Sequence, residues 1–416
     1  MNSSLGTEPQ SLTEQSLVSD WLGLLELGPR FLGSVAESRA RGYLLEKLSG
    51  LPLAVREQSY EFAGWELVER VRLTITAPTR QDVEAMAFIH CAHTPVEGLR
   101  GRLQFLGYHW VIRCFDWMRF AILNDDDKLI GYLSARPDGP AIPQSLDRDN
   151  AVVPHFIVGS QAYDQLSQWV NDGTEVAIEG TINCRDGERG ESANIVASHE
   201  PLTVAPFRVV VCAHLDSMWT CPGANDNGGG VTAVLALARA VCEAPLAFAV
   251  DFLFFTGEEW DLLGSRAYVA SLTEEDISQI RLVINLDGIA ETGEALQIWS
   301  GSENLEYQVI QCVQDYARPQ GHSIRHTYTF PPRLGSDHVP FHERGRNVVA
   351  FTGFEMVRYH TRADVFRPEL GRNLEYVTRL IWHLLRCIGT DVEGPIFRNR
   401  VELMTVRDLE PGAHER

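Results

Sequence analysis

From Asn194 onward the chain repeats one local pattern: a short, near-continuously apolar run, then a loop, then a stretch with apolar residues at helical spacing. The apolar runs are 194–198 (NIVAS), 207–213 (FRVVVCA), 250–256 (VDFLFFT), 282–287 (LVINLD) and 347–352 (NVVAFT), and the helical stretches lie at 228–242, 260–270, 303–317 and 369–388. Runs without polar alternation belong to strands covered on both faces, and parallel strands are the ones so covered. The expected fold class is therefore α/β, a mostly parallel central sheet with helices on both faces.

Residues ahead of Asn194 have a different texture. Apolar side chains at helical spacing predict two amphipathic helices over 11–27 and 34–49, the second stopped by Gly50-Leu51-Pro52. Alternation with β-branched residues over 54–76 predicts a hairpin or a pair of strands. From 80 to 185, short apolar runs broken by Gly, Pro and Asp predict a β-rich module with one helix near 160–171, and the polar stretch 185–191 (RDGERGE) reads as a linker. The expected division is 1–79 as N-terminal helices and strands of the main domain, 80–185 as an insert, 190–395 as the main domain proper and 396–416 as a tail.

The charge balance excludes some partners. With 36 Lys+Arg against 56 Asp+Glu, the formal net charge of −20 repels phosphate backbones and anionic headgroups, so neither nucleic acid nor a membrane surface is expected to bind. No apolar run reaches the roughly 18–20 residues that cross a bilayer. The opening MNSSLGTEPQSLTEQ carries no basic segment or apolar stretch of the secretory kind, which makes the cytoplasm the expected location. Eight cysteines without CxxC spacing predict reduced, mostly buried thiols.

Ligands in open α/β sheets gather at the carboxyl ends of the strands. Four of the five apolar runs lead there into polar residues able to hold a metal. His214-Leu215-Asp216-Ser217 and then Asn225-Asp226-Asn227 follow the second run, Gly257-Glu258-Glu259 the third, Asp287-Gly288 the fourth, and Tyr359-His360-Thr361 the fifth. The first is followed by His199-Glu200, which is given no role. Two imidazoles and several carboxylates without a thiolate suit divalent ions, zinc above all, and acids gathered at one edge repel one another unless cations neutralise them.

The segments AHLDS (213–217), GANDNGGG (223–230), TGEEWDLLGSRAYV (256–269), NLDG (285–288), GSDHVPF (335–341) and YHTRAD (359–364) resemble, in order, the zinc peptidase family that includes bacterial leucyl-type aminopeptidases, aminopeptidase Y and the glutamate carboxypeptidases. The resemblance covers about residues 190–390. It implies two zinc ions, with His214 and Asp287 on one, Glu259 and His360 on the other, and Asp226 bridging both; by donor chemistry cobalt or manganese could replace them. It further implies Glu258 as the general base, Tyr359 as the phenol that hydrogen-bonds the developing oxyanion, Asp216 as the carboxylate orienting His214, and a cis Asp226-Asn227 peptide. Phrases such as GRLQFLG (101–107), Cys114-Phe115 and AVVPHFIVGSQAYDQL (151–166) bring the 80–185 insert close to the protease-associated module of such enzymes.

The function so implied is metal-dependent exopeptidase action on a peptide or small aminoacyl substrate, an aminopeptidase first. The alternatives are a carboxypeptidase for acidic or acylated amino acids, with Arg333 or Arg358 holding a carboxylate, a glutaminyl cyclase on one zinc, and a receptor-like homologue without catalysis. Asp337-His338 is either a neighbour of the substrate pocket or a hydrogen-bonded loop pair, and His326, His342 and His383 are given no role.

Overall fold

The computed structural model describes residues 8–111, 115–145, 153–291, 295–320, 325–389 and 396–397. Cys114, the first two residues of AVVPHFIVGSQAYDQL and all of the expected tail except Ile396 and Phe397 lie outside the described residues.

Two sheets carry the chain. The larger has eight strands, and its centre is parallel: Ala249–Phe255, Arg208–His214, Ile280–Asp287 and Val348–Thr352 run side by side in one direction. Successive side chains on these strands enter opposite cores. Val209, Val211 and Ala213 meet the helices Glu14–Leu25, Gly230–Glu243 and Pro368–Cys387, while Val210 and Cys212 meet Tyr268, Val269 and Phe341 on the other face. Every side chain from Val209 to Ala213 is completely buried, which is why the run shows no polar alternation. Burial of a valine contributes about 1.5–3 kcal/mol, so the central strand is among the most strongly held segments.

The flanks of this sheet are antiparallel. The strand Cys184–His199 pairs antiparallel with Ala249–Phe255 on one side and with Ala54–Leu67 on the other. That direction explains His199-Glu200. Because His199 pairs with Val250, at the start of its neighbour, it ends at the edge opposite to the other four runs. It also corrects the linker expected at 185–191, since Arg185–Glu191 lies within this strand and pairs with residues 61–66. Polar side chains suit it because most of Arg185–Glu191 is exposed, although its partner strand turns Phe62 and Trp65 inward. Two further strands, Leu296–Ser300 and His326–Thr329, extend the far side of the sheet and were not anticipated.

The second sheet has nine strands and is mostly antiparallel. Arg72–Ala77 belongs to it, paired with Ala177–Thr181 and Gln81–Val83, so the two strands expected over 54–76 join different sheets and form no hairpin. Its one helix, Ser160–Asp172, buries Ala162 and Leu166 and ends at Gly173, whose φ of +67° is a left-handed cap that glycine adopts without strain. The apolar core of this sheet is continuous with Met218, Cys221, Trp260 and Tyr359 of the larger one. The two sheets therefore meet at the loops that follow the parallel strands.

Candidate metal centre

Each parallel strand ends where its apolar run ends, and the next residues turn into a common cleft. His214 closes Arg208–His214, and its Nε2 lies 3.2 Å from Asp226 Oδ1 and 3.2 Å from Asp287 Oδ1. His360 Nε2 lies 3.3 Å from Asp226 Oδ2 and 2.9 Å from Glu259 Oε2. The carboxylate of Asp226 thus faces both rings, one oxygen to each. Around a tetrahedral ion with bonds near 2.0–2.1 Å, neighbouring donor atoms stand about 3.4 Å apart, and most of these separations are close to that value.

Charge and hydrogen bonding make the same argument. Asp226 Oδ2 is buried and has no hydrogen-bond partner, an expensive arrangement unless something cationic occupies the space beside it. Burial by itself would lower the His360 imidazole, but Glu259 and Asp226 outweigh it and lift it to about 10. His214 behaves likewise, raised well above its ordinary value by Glu258 and Asp287 against the cost of burial. Burial pushes Glu259 up to about 7. With no ion, protons take up the excess negative charge, so the donor set fits divalent cations.

Each imidazole has its Nδ1 held by a carbonyl, which turns Nε2 toward the carboxylates. The Nδ1–H of His214 donates to the Asp216 carbonyl at 3.1 Å and that of His360 donates to the Pro143 carbonyl at 3.0 Å. The Asp216 carboxylate, expected to orient His214, stands 3.7 Å from that Nδ1 and instead accepts the backbone N–H groups of Glu258 and Glu259, each at 3.2 Å. A carboxylate has two acceptor oxygens, and two successive amides satisfy both. His360 has φ +58°, a left-handed conformation costing a non-glycine residue about 1–3 kcal/mol, and a hydrogen bond from Thr220 to its carbonyl helps to hold it. The Asp226-Asn227 peptide is cis, as expected.

Glu258 differs from its neighbours. Its side chain is only half-buried and reaches a cavity of about 370 Å³ that also exposes Asp226, Asp287 and His360. Its carboxyl is within 4.8 Å of donors on His214 and Asp287, and burial, opposed by His214, raises it well above the usual carboxylate range. Tyr359 lines the same cavity, stacked on His360 with ring centroids 3.8 Å apart. Its hydroxyl accepts a hydrogen bond from Gln144 Nε2 at 3.3 Å, and burial holds its pKa far above neutrality. Phe354 supplies an apolar wall, and Gly288, at φ +66°, leaves room for it, since a Cβ there would come within 2.4 Å of that ring.

Several residues with no assigned role complete the centre. Asp364 accepts the backbone N–H groups of Asn225 and Asp226, at 2.8 and 3.1 Å, and so holds the loop that presents the bridging carboxylate. It ends the YHTRAD segment, so a signal for it was in reach. Arg30 is buried and donates to the carbonyls of Leu215, Pro222 and Gly223, while Pro143 and Gln144 arrive from the second sheet. For these three, nothing in local pattern predicted a place at the site. Of the two arginines considered for carboxylate binding, Arg333 lines the cavity, whereas Arg358 ion-pairs with Glu355 at 2.7 Å. Asp337 is buried and pushed up to about 7 by that burial, and His338 bonds the Arg333 carbonyl at 2.7 Å, so the two are not a hydrogen-bonded pair with each other.

Comparison with known proteins places this geometry in context. Residues 194–385 match Peptidase family M28. Aminopeptidase YwaD of Bacillus subtilis (strain 168) is 26% identical over 335 residues, covering 77% of this chain and 71% of YwaD. Leucine aminopeptidase 2 of Trichophyton equinum is 33% identical over 178 residues, 39% of this chain and 34% of its own, so the match spans about a third of that relative. Among solved structures, a zinc aminopeptidase from Bacillus subtilis shares the fold with a TM-score of 0.64 and 22% identity, over 90% of this chain and 95% of that one.

Proposed function

On the premise that residues 194–385 form a Peptidase family M28 domain, we propose that the protein is a metal-dependent aminopeptidase, holding zinc and removing N-terminal residues from peptides. The observation that carries this reading is Asp226, one buried carboxylate facing two imidazoles that are each turned by a carbonyl to point Nε2 at it.

His214 and Asp287 would hold one ion and Glu259 and His360 a second, with the Asp226 carboxylate available to both. When bound, such ions supply Lewis acidity to a water molecule and to the substrate carbonyl, and cobalt or manganese could take the same donors. The rest is done by the chain. Glu258 is the carboxylate of this group with its side chain least buried, which suits it to take a proton from the attacking water and return it to the leaving amine. Tyr359 remains a protonated phenol at neutral pH and can donate to the oxygen that becomes negative, with Gln144 fixing the direction of its hydroxyl. Asp216 positions the Glu258-Glu259 backbone, so one acid is held among the donors and the other at the cavity.

Carboxypeptidase action is favoured by a separate observation. Arg136 is fully buried, lines the cavity, and leaves Nε and Nη1 without hydrogen-bond partners, which would suit a substrate carboxylate. Assay of the purified protein on aminoacyl, carboxyl-blocked and N-acylated dipeptides, with and without chelator, separates the two. Cleavage of blocked peptides with a free amine, abolished by chelator, supports the aminopeptidase; cleavage of N-acylated dipeptides alone overturns it. Metal analysis completes the test, because a glutaminyl cyclase on one zinc or a receptor-like chain would not show two ions together with hydrolysis.

A further inference from the structure

A second group of metal-binding side chains lies away from the cleft, in the helical layer. Cys312 sits on the helix Glu303–Ala317 and His383 and Cys387 on the helix Pro368–Cys387, and one donor atom from each falls within 4.8 Å of the other two. His383 and Cys387 are four residues apart, so they share one helix face. Their Nε2 and Sγ atoms are 3.5 Å apart. Around a tetrahedral zinc-class ion with Zn–S near 2.3 Å and Zn–N near 2.0–2.1 Å, such atoms stand about 3.6 Å apart. The helix Pro368–Cys387 already holds its two donors at the spacing that coordination would require, and the other helix brings Cys312 within 4.8 Å of both.

The surroundings favour binding over simple packing. Cys312 is buried, while His383 and Cys387 are half-buried, so two of the three donors belong to residues that solvent reaches. The ring of Tyr316 lies against His383, with centroids 5.5 Å apart and planes 37° apart, and restricts its rotation. Two sulfurs and one imidazole form a softer donor set than the nitrogen and oxygen donors of the cleft, so the two places differ in the ions they prefer.

We infer that Cys312, His383 and Cys387 bind one thiophilic divalent cation of the zinc, cadmium and cobalt class, apart from the catalytic centre. Binding releases the protons of the thiols and ties the helix Pro368–Cys387 to Glu303–Ala317, so occupancy acts on stability and not on turnover.

The test is cobalt titration of the full chain, stripped with chelator and kept reduced by a phosphine. The cleft donors contain no sulfur, so a thiolate-to-cobalt charge-transfer band in the near ultraviolet reports this site. The wild type is expected to show the band and to bind one equivalent more than Cys387→Ser, a substitution at a half-buried position. That variant should lose the band and the metal-dependent rise in melting temperature while its peptidase turnover stays within about twofold of wild type. His383→Ala gives an independent second variant, expected to shift the band and weaken binding by more than about 10–100-fold, the loss that removing only a ligand's hydrogen-bonding support brings. Absence of the band in wild-type protein that takes up cobalt in the cleft overturns the inference. So does a band that survives in the Cys312→Ser/Cys387→Ser double variant. A band present as expected in a protein without peptidase activity supports this site and counts only against the reading of the cleft.

Discussion

The two sheets treat polar residues in opposite ways. In the eight-stranded sheet, four parallel strands end at the same edge, so the side chains that follow them converge: His214, Glu259, Asp287 and, further along its loop, His360. In the nine-stranded sheet the strands mostly alternate in direction, their ends scatter to both edges, and some polar groups are satisfied within the sheet. Ser134, for instance, bonds His155 at 2.7 Å and His109 at 2.9 Å within that sheet. Its contribution to the cleft includes one short segment, where Pro143 offers a carbonyl to His360 and Gln144 an amide to Tyr359, together with Phe115, Trp117 and Arg136, which line the cavity. Strand direction, more than residue content, decides which sheet concentrates chemistry.

Substitutions can break this contrast, beginning with the centre of the parallel edge. Asp226→Ala removes the carboxylate shared by both imidazoles and is expected to lower activity by about 10⁴-fold or more along with metal content, measured by elemental analysis beside a peptide assay. Retention of both metal and rate would remove the bridging role. Glu258→Gln is expected to keep the metal and lose about 10²–10⁴ in kcat, the span of a general base. A variant with near-normal turnover and bound metal would pass that task to another group. Tyr359→Phe should cost about 10²-fold in kcat, as loss of one oxyanion donor does, with KM little changed.

The second sheet's part is tested by smaller effects. Gln144→Ala leaves every donor of the centre in place and should reduce kcat by less than about tenfold, because it only frees the Tyr359 hydroxyl to rotate. An effect as large as that of Tyr359→Phe would mean that Gln144 acts on substrate directly. Acid should weaken the second sheet on its own account. Burial holds His155 well below its ordinary value, and burial with Arg119 lowers His109 to about 4. A histidine lowered in the folded state binds fewer protons there than when unfolded, so its stabilisation is complete above about pH 6.5 and is lost as pH falls from there towards 4. The urea midpoint should drop through that window, with a shallower slope in His155→Gln, while an unchanged midpoint would contradict the burial of these rings.

Much of the larger sheet was legible because its strands are buried on both faces, and total burial leaves a plain apolar run. The loop residues were legible only jointly, since any one acid or imidazole after such a run has an ordinary structural use, as His199 does, whereas four runs leading to metal-binding side chains do not. Legibility failed where neither signal operates. RDGERGE lies in an exposed strand, Leu296–Ser300 and His326–Thr329 are short, and Gln144 belongs to a two-residue strand. The helix His383 had been assigned to is present, yet Cys312, 71 positions earlier, is brought beside it only by the packing of two helices.

Local order therefore belonged to the chain itself: which stretches are buried, where they stop and which side chains wait at each stop. Distance in space did not. That Asp226 reaches both rings, that the Asp216 carboxylate serves two amides while its carbonyl serves His214, and that a proline carbonyl from the other sheet aims His360 all depend on contacts between segments far apart along the chain. Periodicity reports burial along one segment, whereas a hydrogen bond between two segments depends on how both are placed, and only the folded molecule sets that placement.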